Sequence, residues 1–503
     1  MIFLGPLVSS FILGFLILAN LLKNSRLPNR AMFLLILAAP VGLGTCSIAM
    51  FWAYVAAASH GKWLSFVLIG LLGAYLLIRL VLKSKSKAVQ QNFLHLDLPW
   101  LKKKPDKAAL LYALLSAAAL ILFCYIFGRF VRNFISASCW EIFGGWDARF
   151  IWNLKAKFFF RSPAEWTGMF RQELSFSHPD YPLLLPGAIA WAWNWAGKEI
   201  LIWPPLVAFL FTACTGLLIL WYLFSYVALW SGLVACSYFF IIGAYQFWSA
   251  TQYADIPVCF FMTASAVALL AAIRAKDSSD RPRVAAQSSS PGPSARERPL
   301  FFLAGLLAGM AAWTKNEGLF FAAWSVLILA GVLFMNPMSW PDKKTLACSF
   351  IGGLGIPLLN VFYLKIIMAK TGDYLGSGRT ASEYFSLVLG SGAKTQVILN
   401  GFQTYMTKFD DWNGLWILFF CALLVGLSIK RKEILENSAW IPAAAAILIE
   451  LGYFAVMHAS PHEIHWQIET ALLRLLLHAG ALALIFSFEV FSPSSRPETE
   501  THP

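Results

Sequence analysis

The chain has 503 residues, of which 59% are hydrophobic and only 13% are charged, and its net charge is +13. Soluble globular chains are about 45–50% apolar and about 25% charged, so this composition excludes a disordered chain, a nucleic-acid-binding domain and an ordinary cytosolic enzyme. It predicts a polytopic membrane protein, whose structural unit is a run of about 20 apolar residues. The eight cysteines form no CxxC motif, and they predict neither a disulfide framework nor a zinc site.

Apolar runs predict an all-α fold with about 13 transmembrane helices. The first run lacks the basic segment that precedes a cleaved signal, so it is predicted to remain as a spanning helix. One further run, 183–196, is short and is bounded by Pro182 and Lys198, so it either crosses the membrane or lies at its surface. The predicted spans are 4–22, 31–55, 64–82, 108–128, 200–222, 226–248, 256–273, 300–314, 318–335, 345–368, 414–429, 438–457 and 471–488.

The positions of lysine and arginine predict the orientation, because these residues are retained on the cytoplasmic side of a membrane. If 183–196 does not cross, the main basic clusters fall on one side. The protein is then predicted to lie in the cell inner (plasma) membrane, with its N-terminus outside and its C-terminus in the cytoplasm. The Ser/Pro/Arg-rich stretch 275–299 is predicted to be a disordered cytoplasmic linker. The predicted outer loops are 129–199, 369–413 and 458–470.

The largest predicted outer loop contains GGWDARFIWNLKAKFFFR at 144–161. Apolar residues recur at helical spacing from Phe150 onward, with Lys155 and Lys157 on the flanks, which predicts an interfacial amphipathic helix in the plane of the lipid headgroups. Asp147 lies beside a tryptophan at the outer end of a span, where a carboxylate is suited to accept a proton from a hydroxyl. The alternative for Asp147 is a helix N-cap, a position that favours aspartate.

Two more segments of the chain carry acidic residues. The first loop ends in SFSHPDYPLLLP, where two prolines predict an extended turn around His178, Asp180 and Tyr181. On the residues alone, a plain surface turn is the favoured interpretation. Asp255, in QFWSATQYADIPVCFF, begins a span. A carboxylate at membrane depth is costly and indicates a functional site, although an N-cap would also explain it.

Basic residues lie near the outer ends of two later spans. In AAWTKNEGLFF, Lys315 and Glu317 either form a simple turn or place a cation beside a phosphate in a partly dry site. The segment HASPHEIHWQIETALLRLLLH contains His465, and a metal site there is disfavoured because Pro461 interrupts the helix that would align its histidines. Arg474, one turn inside the last span, either extends to the surface or pairs with an anion such as a lipid phosphate.

Together these motifs resemble the GT-C superfamily of integral-membrane glycosyltransferases, and within it the bacterial branch related to protein O-mannosyltransferases and lipid A aminoarabinose transferases. The resemblance covers roughly residues 108–488, so that 1–107 would form additional N-terminal transmembrane helices and 489–503 a cytoplasmic tail. It rests on Asp147 in GWDARFIWNLKAKF with HPDYPLLLP behind it, on Asp255 in YADIPVCFF, on GLLAGMAAWTKNEG and on HEIHWQIETALLRLLLH.

The resemblance implies transfer of one sugar from a polyprenyl-phosphate carrier to an acceptor at the outer face, with inversion of the anomeric centre. Asp147 would be the catalytic general base that deprotonates the acceptor hydroxyl. Lys315 and Arg474 would stabilise the negative charge that grows on the leaving lipid phosphate. The other substrate-binding residues that the resemblance implies are Asp255, His178, Asp180, Glu317 and His465.

The implied partners are the polyprenyl-phosphate-sugar donor, a glycan, lipid or protein acceptor, and the lipid bilayer, with no nucleic acid. The pattern requires no cofactor and is compatible with a divalent cation. A secondary transporter and a polymerase or ligase of lipid-linked glycans stay open as alternatives. Transporters usually carry charges near the middle of the membrane, whereas the charges here concentrate at outer ends of spans; Lys365 and Glu450 are predicted near the ends of theirs.

Overall fold

The chain folds into a bundle of helices around one hydrophobic core. The computed structural model describes residues 4–25, 27–84, 107–277, 293–369, 382–383, 386, 392–460 and 462–492, and all regular structure in these ranges is helical. The α-helices are α1 (Leu4–Leu21), α2 (Arg30–Ala57), α3 (Gly61–Ser84), α4 (Lys107–Trp140), α5 (Asn153–Arg161), α6 (Leu184–Ala196), α7 (Trp203–Tyr226), α8 (Leu229–Ile241), α9 (Gly243–Ala250), α10 (Asp255–Asp277), α11 (Pro293–Thr314), α12 (Glu317–Met335), α13 (Trp340–Tyr363), α14 (Gly392–Thr407), α15 (Phe409–Trp412), α16 (Leu415–Ser428), α17 (Arg431–Glu436), α18 (Trp440–Ala459), α19 (Ile464–Gln467) and α20 (Leu473–Phe491).

Every predicted apolar run coincides with one helix or one pair of helices, but the predicted number of spans is not confirmed. Among the described residues, nine helical runs are long and apolar enough to cross a membrane. The pair α8–α9, bent by 62°, makes ten if it forms a single span. Residues 30–82 count as one run, although α2 and α3 pack against each other. The helix α16 has 14 residues, fewer than the about 20 that a span needs.

The short run 183–196 forms a helix that is shorter than a membrane span, and the predicted linker 275–299 is shorter than expected. The run forms α6, a 13-residue helix buried against α2, α5 and α7. The predicted linker 275–299 is wrong at both ends, because α10 continues to Asp277 and α11 already begins at Pro293. Its centre, 278–292, lies outside the described residues, as do the tail residues from 493 onward.

The N-terminal helices belong to the same packed core as the rest of the bundle. The helix α2 packs against α6 and α7. The Ser47 hydroxyl in α2 donates to the carbonyl of Leu183 over 2.8 Å, and the Tyr54 hydroxyl donates to the carbonyl of Phe159 over 2.7 Å. Both acceptors lie in the predicted first outer loop. The predicted boundary at residue 107 is therefore not a boundary in packing, because α2 helps to position this loop.

The helix α10 carries a charged residue at each end of a fully buried apolar stretch. Asp255 begins the helix. Near its other end, the Arg274 guanidinium forms an ion pair with Glu489 of α20 and lies over the rings of Tyr222 and Tyr226. A buried charge needs such a partner because removal from water costs several kcal/mol. This pair fixes α10 against α20 at the end opposite Asp255.

Glycines allow the backbones of α11 and α13 to touch. A Cβ added at Gly353 of α13 would overlap the carbonyl oxygen of Phe302 in α11. A Cβ added at Gly305 of α11 would overlap the carbonyl oxygen of Phe350 in α13. Small residues at helix crossings are typical of membrane bundles, because lipid is as apolar as a leucine side chain and association there depends on close packing.

Replacing Gly353 by leucine should destabilise the bundle by about 1–3 kcal/mol, because α11 and α13 must separate to admit the side chain. Gly352 is the matched control, since a Cβ at Gly352 meets no atom within 4 Å. Thermal unfolding in detergent, followed by fluorescence, should show a lower melting temperature for Gly353→Leu and a nearly native one for Gly352→Leu. Equal melting temperatures would mean that this contact does not hold the two helices together.

Candidate active site

The segment that follows α4 is helical, but the side that it buries differs from the prediction. A π-helical turn at 148–152 leads into α5. Phe150, predicted to face the membrane interface, is 42% exposed, and Lys155, predicted on a flank, is 1% exposed. The flank position predicted for Lys155 is therefore wrong, whereas the exposure of Phe150 does not contradict a side chain that faces the lipid headgroups. Its buried side consists of Ile151, Trp152, Lys155, Ala156 and Phe159.

Asp147 and Arg474 form an ion pair between the first loop and the last helix. Arg474 Nη1 donates to Asp147 Oδ2 over 2.5 Å, and Arg474 Nε donates to the carbonyl of Thr470 over 3.1 Å. The guanidinium lies over the rings of Trp248 and Tyr253, at 5.6 and 5.4 Å from their centroids. Asp147 lies at the N-cap position of the π-helical turn, but its side chain makes no capping bond within the described residues and bonds Arg474 instead. Arg474 pairs with a protein carboxylate and does not extend to the surface.

Close backbone packing brings Asp147 to this position. The backbone N–H of Gly145 donates to the carbonyl of Thr251 over 3.0 Å, and Gly144 adopts a φ of +70°, a conformation that glycine adopts without steric cost. A Cβ at Gly145 would lie 2.7 Å from the Tyr253 hydroxyl oxygen. Burial raises the pKa of Tyr253, and the carboxylate of Asp147 adds to this effect. The phenol is therefore neutral at physiological pH.

A second and more deeply buried charge group surrounds Lys315. Lys315 Nζ lies 2.9 Å from Asp255 Oδ1 and 2.7 Å from Glu317 Oε1, and the side chains of Lys315 and Asp255 are only 5% and 1% exposed. Burial by itself would lower the pKa of Lys315, but attraction to the two carboxylates outweighs burial and raises this pKa. Lys315 is therefore a permanent cation in a dry environment. The segment does form the turn between α11 and α12, but the buried ion pairs of Lys315 show that it is more than a simple connection.

His478 and Tyr453 extend this group into the bundle. His478 Nε2 lies 3.2 Å from Asp255 Oδ1, and the Tyr453 hydroxyl lies 2.5 Å from His478 Nδ1. All three residues are at most 2% exposed. In a neutral imidazole, an Nε2–H that donates to the carboxylate leaves Nδ1 to accept from the phenol, so the two bonds select one tautomer. The bonds of Asp255 thus connect α10 with α20 and with the turn between α11 and α12, which an N-cap role does not explain.

The two charge groups are neighbours. Arg474 and His478 are four residues apart in α20, and this spacing places them on one face of the helix. Asp255 attracts both Lys315 and Arg474 electrostatically. The structure therefore places Asp147, Asp255, Lys315 and Arg474 together at one end of the bundle.

The turn predicted around Asp180 joins the same site. Asp180 Oδ2 accepts from Asn316 Nδ2 over 2.7 Å and from Lys365 Nζ over 3.3 Å. The ring of His178 stacks on that of Tyr181, with centroids 4.7 Å apart. Burial lowers the pKa of His178 below its usual value, so its imidazole is neutral at pH 7. The surface-turn interpretation is wrong, because the Asp180 side chain is only 13% exposed.

Three buried oxygens at the site have no hydrogen-bond partner within the described ranges. A buried acceptor without a donor costs free energy, so such oxygens in a native protein call for a specific explanation. The Lys315 ammonium already bonds the other oxygen of each carboxylate. The three oxygens suit donor groups such as hydroxyls. They are Asp255 Oδ2, Glu317 Oε2 and Asn316 Oδ1.

His465 is not brought to this site. It is exposed in α19, and its backbone N–H donates to Glu463 Oε1 over 2.9 Å, which is a helix-capping contact. In the part of the chain that the structure describes, no three His, Cys, Asp or Glu side chains are arranged to hold a metal ion. The cation between the carboxylates of Asp255 and Glu317 is the Lys315 ammonium.

Sequence reasoning missed several residues of the site. His478 follows Arg474 at helical spacing, and this spacing was a usable signal. The sequence contains no comparable signal for Tyr453, because a tyrosine in a mainly apolar span is also expected as an ordinary packing residue. Glu450, predicted near the end of its span, lies at the middle of α18. Both of its carboxylate oxygens are buried and have no hydrogen-bond partner among the residues described.

All regular structure in the described part of the chain is helical, and its long apolar helices are consistent with the class of multi-pass membrane proteins. No family model, curated protein or solved structure matches the chain. Its chemistry is therefore inferred from the residues of the site.

Replacing Tyr453 by phenylalanine should destabilise the protein by about 1–3 kcal/mol, because His478 Nδ1 would be left buried without a donor. Tyr75 is the control, since its side chain lies on the outside of α3 and is 57% exposed. The melting temperature in detergent should fall for Tyr453→Phe and not for Tyr75→Phe. An unchanged value for Tyr453→Phe would show that its hydroxyl does not support the imidazole.

Proposed function

We propose that this protein is an inverting glycosyltransferase of the GT-C type, which moves a sugar from a polyprenyl-phosphate carrier to an acceptor at the outer face of the membrane. The observation that carries the proposal is the juxtaposition of the Asp147–Arg474 pair with the buried group of Asp255, Lys315 and Glu317. Proton transfer to a carboxylate and stabilisation of a leaving phosphate by fixed cations need such an arrangement.

In the proposed reaction, the oxygen of the acceptor hydroxyl attacks the anomeric carbon, and the bond from that carbon to the phosphate oxygen breaks. Asp147 accepts the hydroxyl proton. The electrons of the broken bond leave with the polyprenyl phosphate, and Arg474 stabilises the negative charge that this phosphate gains. The two described hydrogen bonds of Arg474 use two of its five N–H donors, so the others remain for phosphate oxygens.

The buried oxygens without partners support a sugar as the transferred group. A pyranose or furanose presents several hydroxyl donors, and Asp255 Oδ2, Glu317 Oε2 and Asn316 Oδ1 are acceptors that have no donor among the described residues. Asp180 and the neutral His178 would bind further hydroxyls. A purely structural charge network would pair these oxygens within the protein, because an incompletely satisfied buried network is costly.

The proposed orientation places the site outside the cell. Asp255 and Arg274 lie at opposite ends of α10. The basic segment that follows Arg274 would be retained in the cytoplasm, so Asp255 and the charge groups around it would face outward. This orientation agrees with an outer N-terminus, a cytoplasmic C-terminus and about 13 spans.

A secondary transporter is the second candidate, and Glu450 is the observation that favours it. A carboxyl group at the middle of a span with both oxygens unpartnered is the kind of residue that transporters use to carry protons. Within the described residues, the Glu450 carboxylate forms no hydrogen bond with Lys315 or Arg474. The charges that do meet lie at one end of the bundle, which favours chemistry at a surface.

Replacing Asp147 by asparagine should lower sugar transfer by about 100-fold or more, because the amide cannot accept the proton, while the protein stays folded. The measurement is the release of polyprenyl phosphate, by mass spectrometry, from a panel of polyprenyl-phosphate sugars offered to protein in liposomes with cell-envelope acceptors. Asp410→Asn is a control on an exposed acid outside the site.

Two results would contradict this assignment in different ways. Full turnover by Asp147→Asn would remove Asp147 as the base but keep the transferase. Uptake of a labelled solute by native protein, with no sugar transfer from any donor, would instead support the transporter. Product analysis separates single-sugar transfer from a polymerase or ligase, which would move a longer glycan.

Replacing Arg474 by lysine should weaken binding of polyprenyl phosphate by about tenfold, because lysine keeps the charge but loses the planar fork that binds two phosphate oxygens. Binding of the acceptor should change less. The measurement is the dissociation constant of polyprenyl phosphate for protein in nanodiscs. An unchanged constant would show that the role of Arg474 is limited to its pair with Asp147.

A further inference from the structure

We infer that Lys155 is a positioning residue, whose amine holds both ends of the turn that presents His178 and Asp180 to the site. Lys155 Nζ donates to the carbonyl of His178 over 2.6 Å and to the carbonyl of Tyr181 over 3.2 Å. These carbonyls belong to the first and last residues of the turn, so one side chain closes it. The inference rests on the proposed function only for what the turn would bind.

The helix α5 and the residues before it hold this turn at a second point. The ring of Trp152 stacks on that of Tyr181 with centroids 5.6 Å apart. Trp152 and Lys155 are three residues apart, so they contact the turn from one side of the helical segment. The turn therefore docks on a preformed surface, on which Lys155 bonds both carbonyls of the turn and Trp152 stacks on Tyr181.

The backbone of the turn needs this external support. His178 has a φ of +49° and a ψ of 70°, a conformation that costs free energy for a residue with a Cβ. Such a conformation persists when surrounding contacts fix it. When the turn is docked, Asp180 meets Asn316 and Lys365. Release of the turn would remove Asp180 and His178 from the site together.

The charge on Lys155 opposes docking. The titratable groups that face it are Asp180, Lys365, His178 and Tyr181. Burial lowers the pKa of Lys155 to about 7; Asp180 opposes this shift and Lys365 adds to it. With the turn undocked, the amine would regain water and a pKa near its usual value of about 10.4.

The sign of the pH dependence follows from these two states. Between about pH 7 and pH 10 the undocked state binds more protons than the docked state, so docking becomes more favourable as the pH rises. Below about pH 7 the amine is protonated in both states, and the full cost of burying its charge applies. We therefore expect the turn to be protected least below pH 7 and increasingly above it.

Hydrogen exchange of the full-length protein in detergent, followed by mass spectrometry, tests this inference without an activity assay. The readout is the protection of a peptide that covers 174–183, corrected for intrinsic exchange and measured from about pH 7 to about pH 9, above the usual pKa of His178. Native protein should show protection that rises with pH. Lys155→Met should exchange about tenfold faster in this peptide, lose the pH dependence and leave α10 unchanged.

Lys157 provides the matched control, because it lies on the same helix but is only half-buried, and Lys157→Met should behave as native protein. Lys155→Arg keeps N–H donors but stays charged throughout, so its protection should not vary with pH. If Lys155→Met does not fold, the pH dependence of the protection of 174–183 in native protein tests the inference. Flat protection in native protein, or an unchanged exchange rate in folded Lys155→Met, would overturn the inference.

The same proteins separate this inference from the proposed function. Polyprenyl phosphate in nanodiscs is the probe. If native protein binds none of it while the turn behaves as expected, the proposed function fails and the positioning role of Lys155 stands. If native protein binds it, but the exchange of 174–183 changes neither with pH nor on substitution of Lys155, the positioning role fails and the proposed function stands.

Discussion

A buried carboxylate and a buried ammonium stabilise each other only if they are in contact. In this protein Asp255 and Lys315 form such a contact. Neither side chain is more than 5% exposed, so separating them would leave a charge in a medium that solvates it poorly. His478 and Glu317 bond the same two groups. These polar contacts therefore fix the positions of α10, α20 and the turn between α11 and α12 relative to one another.

The first loop reaches this centre because other helices hold it. Tyr54 of α2 bonds the backbone at Phe159, and Gly145 meets the backbone of Thr251. These contacts are to backbone atoms, so they fix the path of the chain and leave the side chain of Asp147 free to meet Arg474. The site is thus assembled from segments that are distant in sequence, each held by contacts outside the site. Such support is what keeps functional groups in place when a substrate competes for them.

The sequence alone predicted the helical class, the location of each apolar run, and the gathering of acids and cations at one end of the bundle. These features are predictable because lipid requires long apolar helices and makes charges in the membrane interior costly. The sequence did not predict the number of spans, since α16 and α6 are too short to decide from composition. It also predicted that Lys155 lies on a flank of the helix, whereas Lys155 is buried. Because α5 has apolar residues on two faces, periodicity alone does not show which face packs against the rest of the protein. The pairing of Arg474 with Asp147, across 327 residues, has no local signal at all.

The order in which the charged residues occur along the chain has a consequence for biosynthesis. Domains and helices emerge from the ribosome N-terminal end first. Asp255 begins α10 and Lys315 directly follows α11, so the two can pair as soon as this helical hairpin has been synthesised. Asp147 is synthesised far earlier than Arg474 in α20, since 327 residues separate them. During synthesis Asp147 is therefore without the partner that it has in the folded protein until α20 has been made.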